Sequence, residues 1–201
     1  NGISVVIPTY NRAELLCETL RACAAVSRGL PVEFIVVDDG SQDDTPQRLA
    51  GLEGAVQNLR WRSIPNGGPG RARNLGASLA EKDLVLFLGD DIRPCGYTFF
   101  RIHLDAHKKF PTIASAVLGK VIWPCEPGDR VNFVMQHVQG ARCEQFCYYH
   151  MQPYTWWDYR YFYTCNVSVK RKLVGDWMTE GFSPAFVAAA YEDTEFAYRM
   201  Q

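Results

Sequence analysis

No stretch of the 201-residue chain is apolar for long enough to span a bilayer. The first apolar run, residues 3–7, is also too short for a secretion signal before Pro8 interrupts it. Excess charge is missing too. The 21 Lys and Arg are matched by 22 Asp and Glu, for a net charge of −1, which argues against nucleic acid or an anionic membrane surface as the main partner, since both usually require a basic face, and leaves room for a local basic patch. No C-x-x-C pair occurs. The seven cysteines (17, 23, 95, 125, 143, 147 and 165) are odd in number and mostly in apolar settings, which points to reduced, buried thiols and away from a disulfide framework. Cys143 and Cys147 have no second pair beside them, so a zinc site there is disfavoured. The G-K-[ST] that would close a P-loop is absent, and no G-x-G-x-x-G follows the first apolar run, where a dinucleotide fingerprint belongs.

What is present is an alternation of short β-branched runs and amphipathic stretches. "ISVVI" (3–7), "EFIVV" (33–37), "NLRWRSI" (58–64) and "LVLFL" (84–88) read as strands of a mainly parallel sheet. Between them, helices are expected at about 12–26, from Asp44 or Thr45 with Pro46 in the first turn, and over 68–80. Asn11 and Glu14 have the spacing of a capping box for the first helix. Leu15, Leu16, Thr19, Leu20 and Cys23 would share a face of it. After residue 95 the pattern loosens: a helix at about 96–109, strands at 113–122 and 165–169, and a helix from Tyr191. The fold class expected is α/β, in one domain over 1–201, with a regular nucleotide-binding half (1–95) and a more irregular acceptor-binding half (96–201). Because the last helical pattern stops at Gln201, the chain is expected to be one domain of a longer protein or to lack its tail.

Ligands of parallel α/β sheets bind at the carboxyl ends of the strands. Here those ends carry "PTYNR", "DDGSQDD" and "GDD", so several carboxylates are expected to converge on one crevice. Such a cluster calls for a cation. Oxygen ligands suit Mg2+ or Mn2+, whose shell is completed by phosphate oxygens, so a metal–diphosphate ligand is expected. "GGPGRARN" would open a helix whose amides, with Arg71 and Arg73, could face an anion. Each segment also has a plainer reading: an acidic turn with a helix cap, a glycine turn, or acids favoured by a helix dipole at Glu192 and Asp193. The aromatic stretch 146–163, with Tyr148, Tyr149, Trp156, Trp157 and Tyr159, favours a core or interface role by general enrichment. Stacking on a sugar acceptor is the other reading. His103, His107, His137 and His150 are read as surface or hydrogen-bonded core residues rather than metal ligands.

Together "ISVVIPTYNR", "FIVVDDGSQDDT", "GGPGRARNLGA", "LVLFLGDDI" and "YEDTEFAYR", in this order, resemble the family-2 glycosyltransferases, inverting sugar transferases of the GT-A fold. The resemblance runs from Ile3 to Arg199. It implies a mainly parallel, Rossmann-like sheet flanked by helices, a nucleotide diphosphate-sugar donor (UDP by family frequency), and Mn2+ or Mg2+. It implies a carbohydrate, lipid-linked or protein acceptor, and a role in polysaccharide or cell-wall biosynthesis. The reduced cysteines point to a cytoplasmic location, with peripheral attachment at the inner membrane face allowed. By position, Pro8, Thr9 and Tyr10 border the nucleotide base, Asp39 binds it with Asp38 alongside, and Arg73 lies near the nucleotide. Asp90 contacts the ribose or sugar, Asp91 binds the metal, and Asp193 is the general base. Cys165 and Asn166 border the acceptor and donor sugar, with Trp156 and Trp157 on the acceptor side. "GDD" lacks the first aspartate of a strict D-x-D, and the chain ends before a Q-x-x-R-W could appear. Two rivals are a non-catalytic nucleotide-sugar binding module and a sugar nucleotidyltransferase. The latter would need a basic glycine-rich loop where this chain has "PTYNRAE".

Overall fold

The first strand, β1 (Ile3–Thr9), sets the plan: Ile3, Val5 and Ile7 face one side of the sheet, and Val6 faces the other. The computed structural model describes residues 2–123, 132–139, 146, 148–177, 181–188 and 191–200. After β1 come α1 (Ala13–Val26), β2 (Val32–Asp38), α2 (Thr45–Leu52), β3 (Leu59–Ser63), α3 (Pro69–Ser78), β4 (Leu84–Leu88) and α4 (Phe99–Lys109). The later elements are β5 (Ala116–Leu118), α5 (Phe133–Gln139), β6 (Asn166–Lys170) and α6 (Glu192–Arg199). The sheet order is β3-β2-β1-β4-β6-β5. β3, β2, β1 and β4 run parallel, and β6 is antiparallel to both β4 and β5.

Period-two alternation supplies two cores. On one face Ile7, Val36, Leu86 and Phe34 pack with Leu16 and Leu20 of α1, Leu49 of α2, and Phe100 and Leu104 of α4. On the other, Val6, Val85, Phe87, Val167 and Val169 pack with Phe162, Phe182 and Phe196. α3 lies so close on this second face that a methyl group added at Gly76 would stand 2.3 Å from Val6 Cγ1.

The expected strands of the first half are present, two of them extended at the ends. Three details differ. Asn11 does not cap α1: its backbone is left-handed (φ 53°) and its Oδ1 accepts from the Gln42 amide. Leu15 is turned to solvent, 45% exposed, rather than sharing the buried face. The strand expected over 113–122 shortens to three residues, because Thr112–Ser115 is folded as a turn closed by Ser115 N–H to the Thr112 carbonyl. Among the described residues no helix is long and apolar enough to cross a membrane. Cys17 and Cys23 are buried, Cys165 is half-buried and Cys95 is exposed, all as free thiols, whereas Cys125, Cys143 and Cys147 lie outside the described residues.

Candidate active site

In the order β3-β2-β1-β4 the chain leaves β1 toward β2 on one side and returns to β4 on the other. The connections therefore part between β1 and β4, the point at which open parallel sheets form a ligand crevice. Thr9 ends β1 and Arg12 follows it, Asp90 and Asp91 follow β4, and these four side chains meet across that gap. Thr9 Oγ1 donates to Asp90 Oδ2 (2.8 Å), and Thr19 Oγ1 donates to the Asp90 carbonyl (2.9 Å). One guanidinium nitrogen of Arg12, Nη1, bridges Asp90 Oδ1 (3.1 Å) and Asp91 Oδ2 (3.0 Å). Burial lifts the Asp90 carboxyl above the ordinary range, against the hydrogen bond from Thr9 and the charge of Arg12. The Asp91 side chain is 45% exposed and is the more accessible member of the pair.

The acids after β2 are engaged by the protein itself. Asp38, fully buried, accepts from the Ser41 amide and the Ser63 hydroxyl, both at 2.9 Å. Asp39 accepts from the amides of Gly67 and Gly68, each at 2.9 Å, so the anion facing the glycine-rich turn before α3 is this chain's own carboxylate. Gly68 is left-handed (φ 92°), and a side chain there would strike the Val187 carbonyl. Asp43 accepts from Ala13 N at the start of α1, and from Thr45 N and Oγ1 at the start of α2. The expectation that these carboxylates converge on one cation is therefore corrected: donors from the chain satisfy Asp38, Asp39 and Asp43 individually. Among the described residues no group of three or more His, Cys, Asp or Glu could hold a metal ion. Pro8 sits in β1 opposite Val37, while Tyr10 is 46% exposed on the same edge.

The second half brings up Asp193. The backbone enters α6 through Tyr191 in the left-handed region (φ 62°). Glu192, the first residue of the helix, is buried and paired with Arg73 of α3 (2.8 Å; side chains 6% and 11% exposed). Asn74, next along α3, both donates to the Phe182 carbonyl (2.8 Å) and accepts from its amide (2.7 Å). Phe182 in turn stacks on Phe196 of α6 at 4.3 Å. So Arg73 and Asn74 fasten the helix that carries Asp193. Burial raises the Asp193 carboxyl, the charge of Glu192 adds to that, and Arg73 opposes it. Cys165 ties this half to the first: its carbonyl accepts from the Gly89 amide (3.0 Å), and its Cβ is among the atoms nearest to where a Gly89 side chain would stand, beside Asp91 Oδ1. Its thiol is pushed up to about 12, by burial first and then by the charges of Asp193 and Asp91. Both carboxylates thus act on one sulfur.

The segment that builds this strand-end crevice, with its half-exposed acid after β4, matches a known sequence profile. The profile of Glycosyl transferase family 2 covers residues 4–119. The chain belongs to that family. Validoxylamine A glucosyltransferase of Streptomyces hygroscopicus subsp. jinggangensis is 31% identical over 98% of this chain and 51% of its own length, so the chain spans about half of that relative. A solved structure of Staphylococcus aureus TarS with UDP superposes at a TM-score of 0.69 over 100% of this chain and 55% of that one, at 20% identity. Mannosyltransferase PcManGT from Pyrobaculum calidifontis, solved with GDP-Man and Mn2+, superposes at 0.63 over 98% and 51%, also at 20% identity. The fold is GT-A.

Against that family frame, the acceptor-side candidates separate. Trp156 packs edge-on against Phe110 at 5.3 Å. The Phe110 carbonyl accepts from Nζ of Lys170, which pairs with Leu84 at the start of β4, so the contacts of Trp156 lead toward that end of the strand, whereas Asp90 and Asp91 follow its other end. Trp157 packs on Tyr161 and Tyr161 on Tyr163, whose carbonyl lies by Cys165, so this line of rings leads to the crevice. Asn166 is buried, its amide against Gly119. Two polar residues at the strand ends were not singled out from the sequence: Arg12, whose partners lie about eighty residues on, and Asp43, which serves the starts of two helices at once. The reading of His103 and His107 as hydrogen-bonded core residues holds. His103 Nδ1 lies 2.8 Å and His107 Nε2 3.0 Å from Ser168 Oγ, with all three residues buried.

Proposed function

We propose that this chain is the catalytic domain of an inverting glycosyltransferase that moves a sugar from a nucleotide diphosphate-sugar to an acceptor hydroxyl. Its first 95 residues bind the donor and the remainder the acceptor. The observation that supports this reading is the meeting of Asp90 and Asp91, after β4, with Thr9 and Arg12 from the end of β1, where the connections of the sheet part and Cys165 comes up beside Asp91. Asp193 takes the acceptor proton as its oxygen bonds to the anomeric carbon and the bond to the diphosphate breaks, which inverts that carbon. The upward shift of Asp193 brings its basicity nearer neutrality, and general-base assistance contributes about 10²–10⁴-fold. Asp39, beside Pro8, Thr9, Tyr10 and Asp38, borders the nucleotide base, and Asp90 faces the ribose or sugar. Cys165 and Trp157 stand on the acceptor side.

The chemistry of the donor set fits a divalent ion at Asp91: a hard carboxylate oxygen, half-exposed, already holding a cation in the Arg12 guanidinium. Mn2+ or Mg2+ there would supply positive charge to the leaving diphosphate. The relative solved with GDP-Man and Mn2+ supports that reading, as the TarS complexes with UDP and UDP-GlcNAc support a nucleotide donor. The acceptor class is carbohydrate, lipid-linked or protein. The proposed location is cytoplasmic, at the inner membrane face where the acceptor is lipid-linked. The test is a melting-temperature screen of UDP, GDP and dTDP with and without Mn2+, followed by transfer assays of Asp193→Asn. One diphosphate should raise the midpoint only with Mn2+, since a ligand of the native state stabilises by mass action. Asp193→Asn should keep that rise and lose transfer about 100-fold or more. Full transfer by Asp193→Asn would refute the base assignment and favour a binding module.

A further inference from the structure

We propose that Arg12 is a built-in counter-cation of the acidic pair, with which a divalent ion must compete for Asp91. The inference rests on the reading of Asp91 as the metal ligand. Arg12 occupies the N-cap position of α1, at the positive end of the helix dipole, where a cation is disfavoured. What holds it there is a single nitrogen shared between Asp90 and Asp91. Those two bonds are not alike. Asp90 is buried and fixed from two other directions, by Thr9 on its second oxygen and by Thr19 on its carbonyl. Asp91 is half-exposed, and its hydrogen-bonding partner among the described residues is Arg12 alone. The Arg12 side chain is itself 50% exposed, so its head can leave Asp91 without opening a cavity.

This arrangement eases the repulsion between two adjacent carboxylates at a strand end: one guanidinium offsets one of their two charges. It also makes divalent binding a competition. An ion on Asp91 either takes Oδ2 from Arg12 or shares the carboxylate with it, and the guanidinium weakens its binding in both cases, by about the strength of a half-exposed ion pair at most. A nucleotide diphosphate adds its own oxygens to the ion and tips the exchange, so the site is poised to take metal with donor rather than metal alone.

The test titrates the full chain with Mn2+ alone, reading free Mn2+ by electron paramagnetic resonance at low ionic strength, with no substrate present. Arg12→Gln should bind Mn2+ about 2- to 10-fold more tightly than the unsubstituted chain, the range expected for loss of an exposed ion pair. Arg12→Lys, which keeps the charge but not the planar fork, should fall between them. Arg93→Gln removes the same charge nearby, where Arg93 pairs with Glu18, and should change affinity by less than about twofold, which separates the bridge from the general field. A misfolded variant can only weaken binding, so the sign protects the test. Binding abolished by Asp91→Asn yet unchanged or weakened by Arg12→Gln overturns the inference alone. Absence of any binding sensitive to Asp91→Asn overturns the metal-ligand reading, and the inference with it.

Discussion

The proposed donor site asks two things of the one Asp39 carboxylate. Family resemblance puts it against the nucleotide base, and the structure shows its two oxygens taking the amides of Gly67 and Gly68. Each oxygen keeps a second acceptor site, so the uses are compatible, but a truncation removes both. Asp39→Ala should lower unfolding stability by about 1–3 kcal/mol, the cost of leaving buried amides without acceptors, and should also weaken diphosphate binding. Asp39→Asn, which retains one oxygen, should lose less stability. Urea unfolding beside calorimetric titration separates the effects, and unchanged stability in Asp39→Ala would mean the amide grip is idle. Glu192 poses a similar problem next to the proposed base. Its ion pair with Arg73 is buried on both sides, so Glu192→Gln strands a buried guanidinium and should destabilise by about 3–5 kcal/mol. It also removes the negative charge that raises Asp193, so the acid limb of the kcat/KM profile should move to lower pH. An acid limb that stays put would show that Glu192 does not tune the base.

Elements of the first half were legible because burial of a parallel strand on both faces leaves an unbroken apolar run. "LVLFL" is β4 residue for residue. The cap of α1 was not legible. Asn11 has the right type and spacing, but Gln42 takes its side chain and Asp43, from the next loop, serves Ala13. Local motifs rank candidates for a cap, and long-range donors decide among them. The contact of α3 with β1 was equally invisible, since nothing near Gly76 announces that Val6 lies against it. Gly76→Ala should therefore cost about 1–3 kcal/mol by overpacking, although alanine is the better helix former, and chemical denaturation would show the sign. The α4–β6 contact makes a pH prediction. Burial lowers both His103 and His107 to about 4 from an ordinary 6.5, with His107 adding to the effect on His103 and Lys170 to that on His107. The folded state therefore binds fewer protons than the unfolded one between those values. The stabilisation is fully present above pH 6.5 and is lost as pH falls toward about 4. Stability followed between pH 7.5 and 4 should fall less steeply in His107→Gln than in the unsubstituted chain, and equal slopes would mean the pair does not carry the dependence.

On the scale of the whole molecule, strand order does what no single motif can. "PTYNR" and "GDD" are about eighty residues apart, and they meet because β1 and β4 are neighbours whose connections run in opposite directions. The sequence reading could place acids at strand ends, but not say which ends adjoin or which acids, such as Asp38 and Asp43, find donors within the chain. Nor could it divide the aromatic stretch, where Trp156 and Trp157 are adjacent in sequence yet lead to different edges of the sheet. That division predicts where a donor leaves its mark. Hydrogen exchange with and without the diphosphate and Mn2+ should show added protection in the loops after β1, β2 and β4 and at the start of α6. The opposite edge, at residues 81–83 and 110–115, should be unchanged. Native openings are local, so a ligand slows exchange mainly where it restrains the backbone. Trp156→Ala should accordingly leave the acceptor KM within about twofold, as surface changes away from a site generally do. Protection concentrated at the start of β4, or a large KM effect at Trp156, would move the working edge to the other end of the sheet and leave Asp91 and Asp193 without a substrate between them.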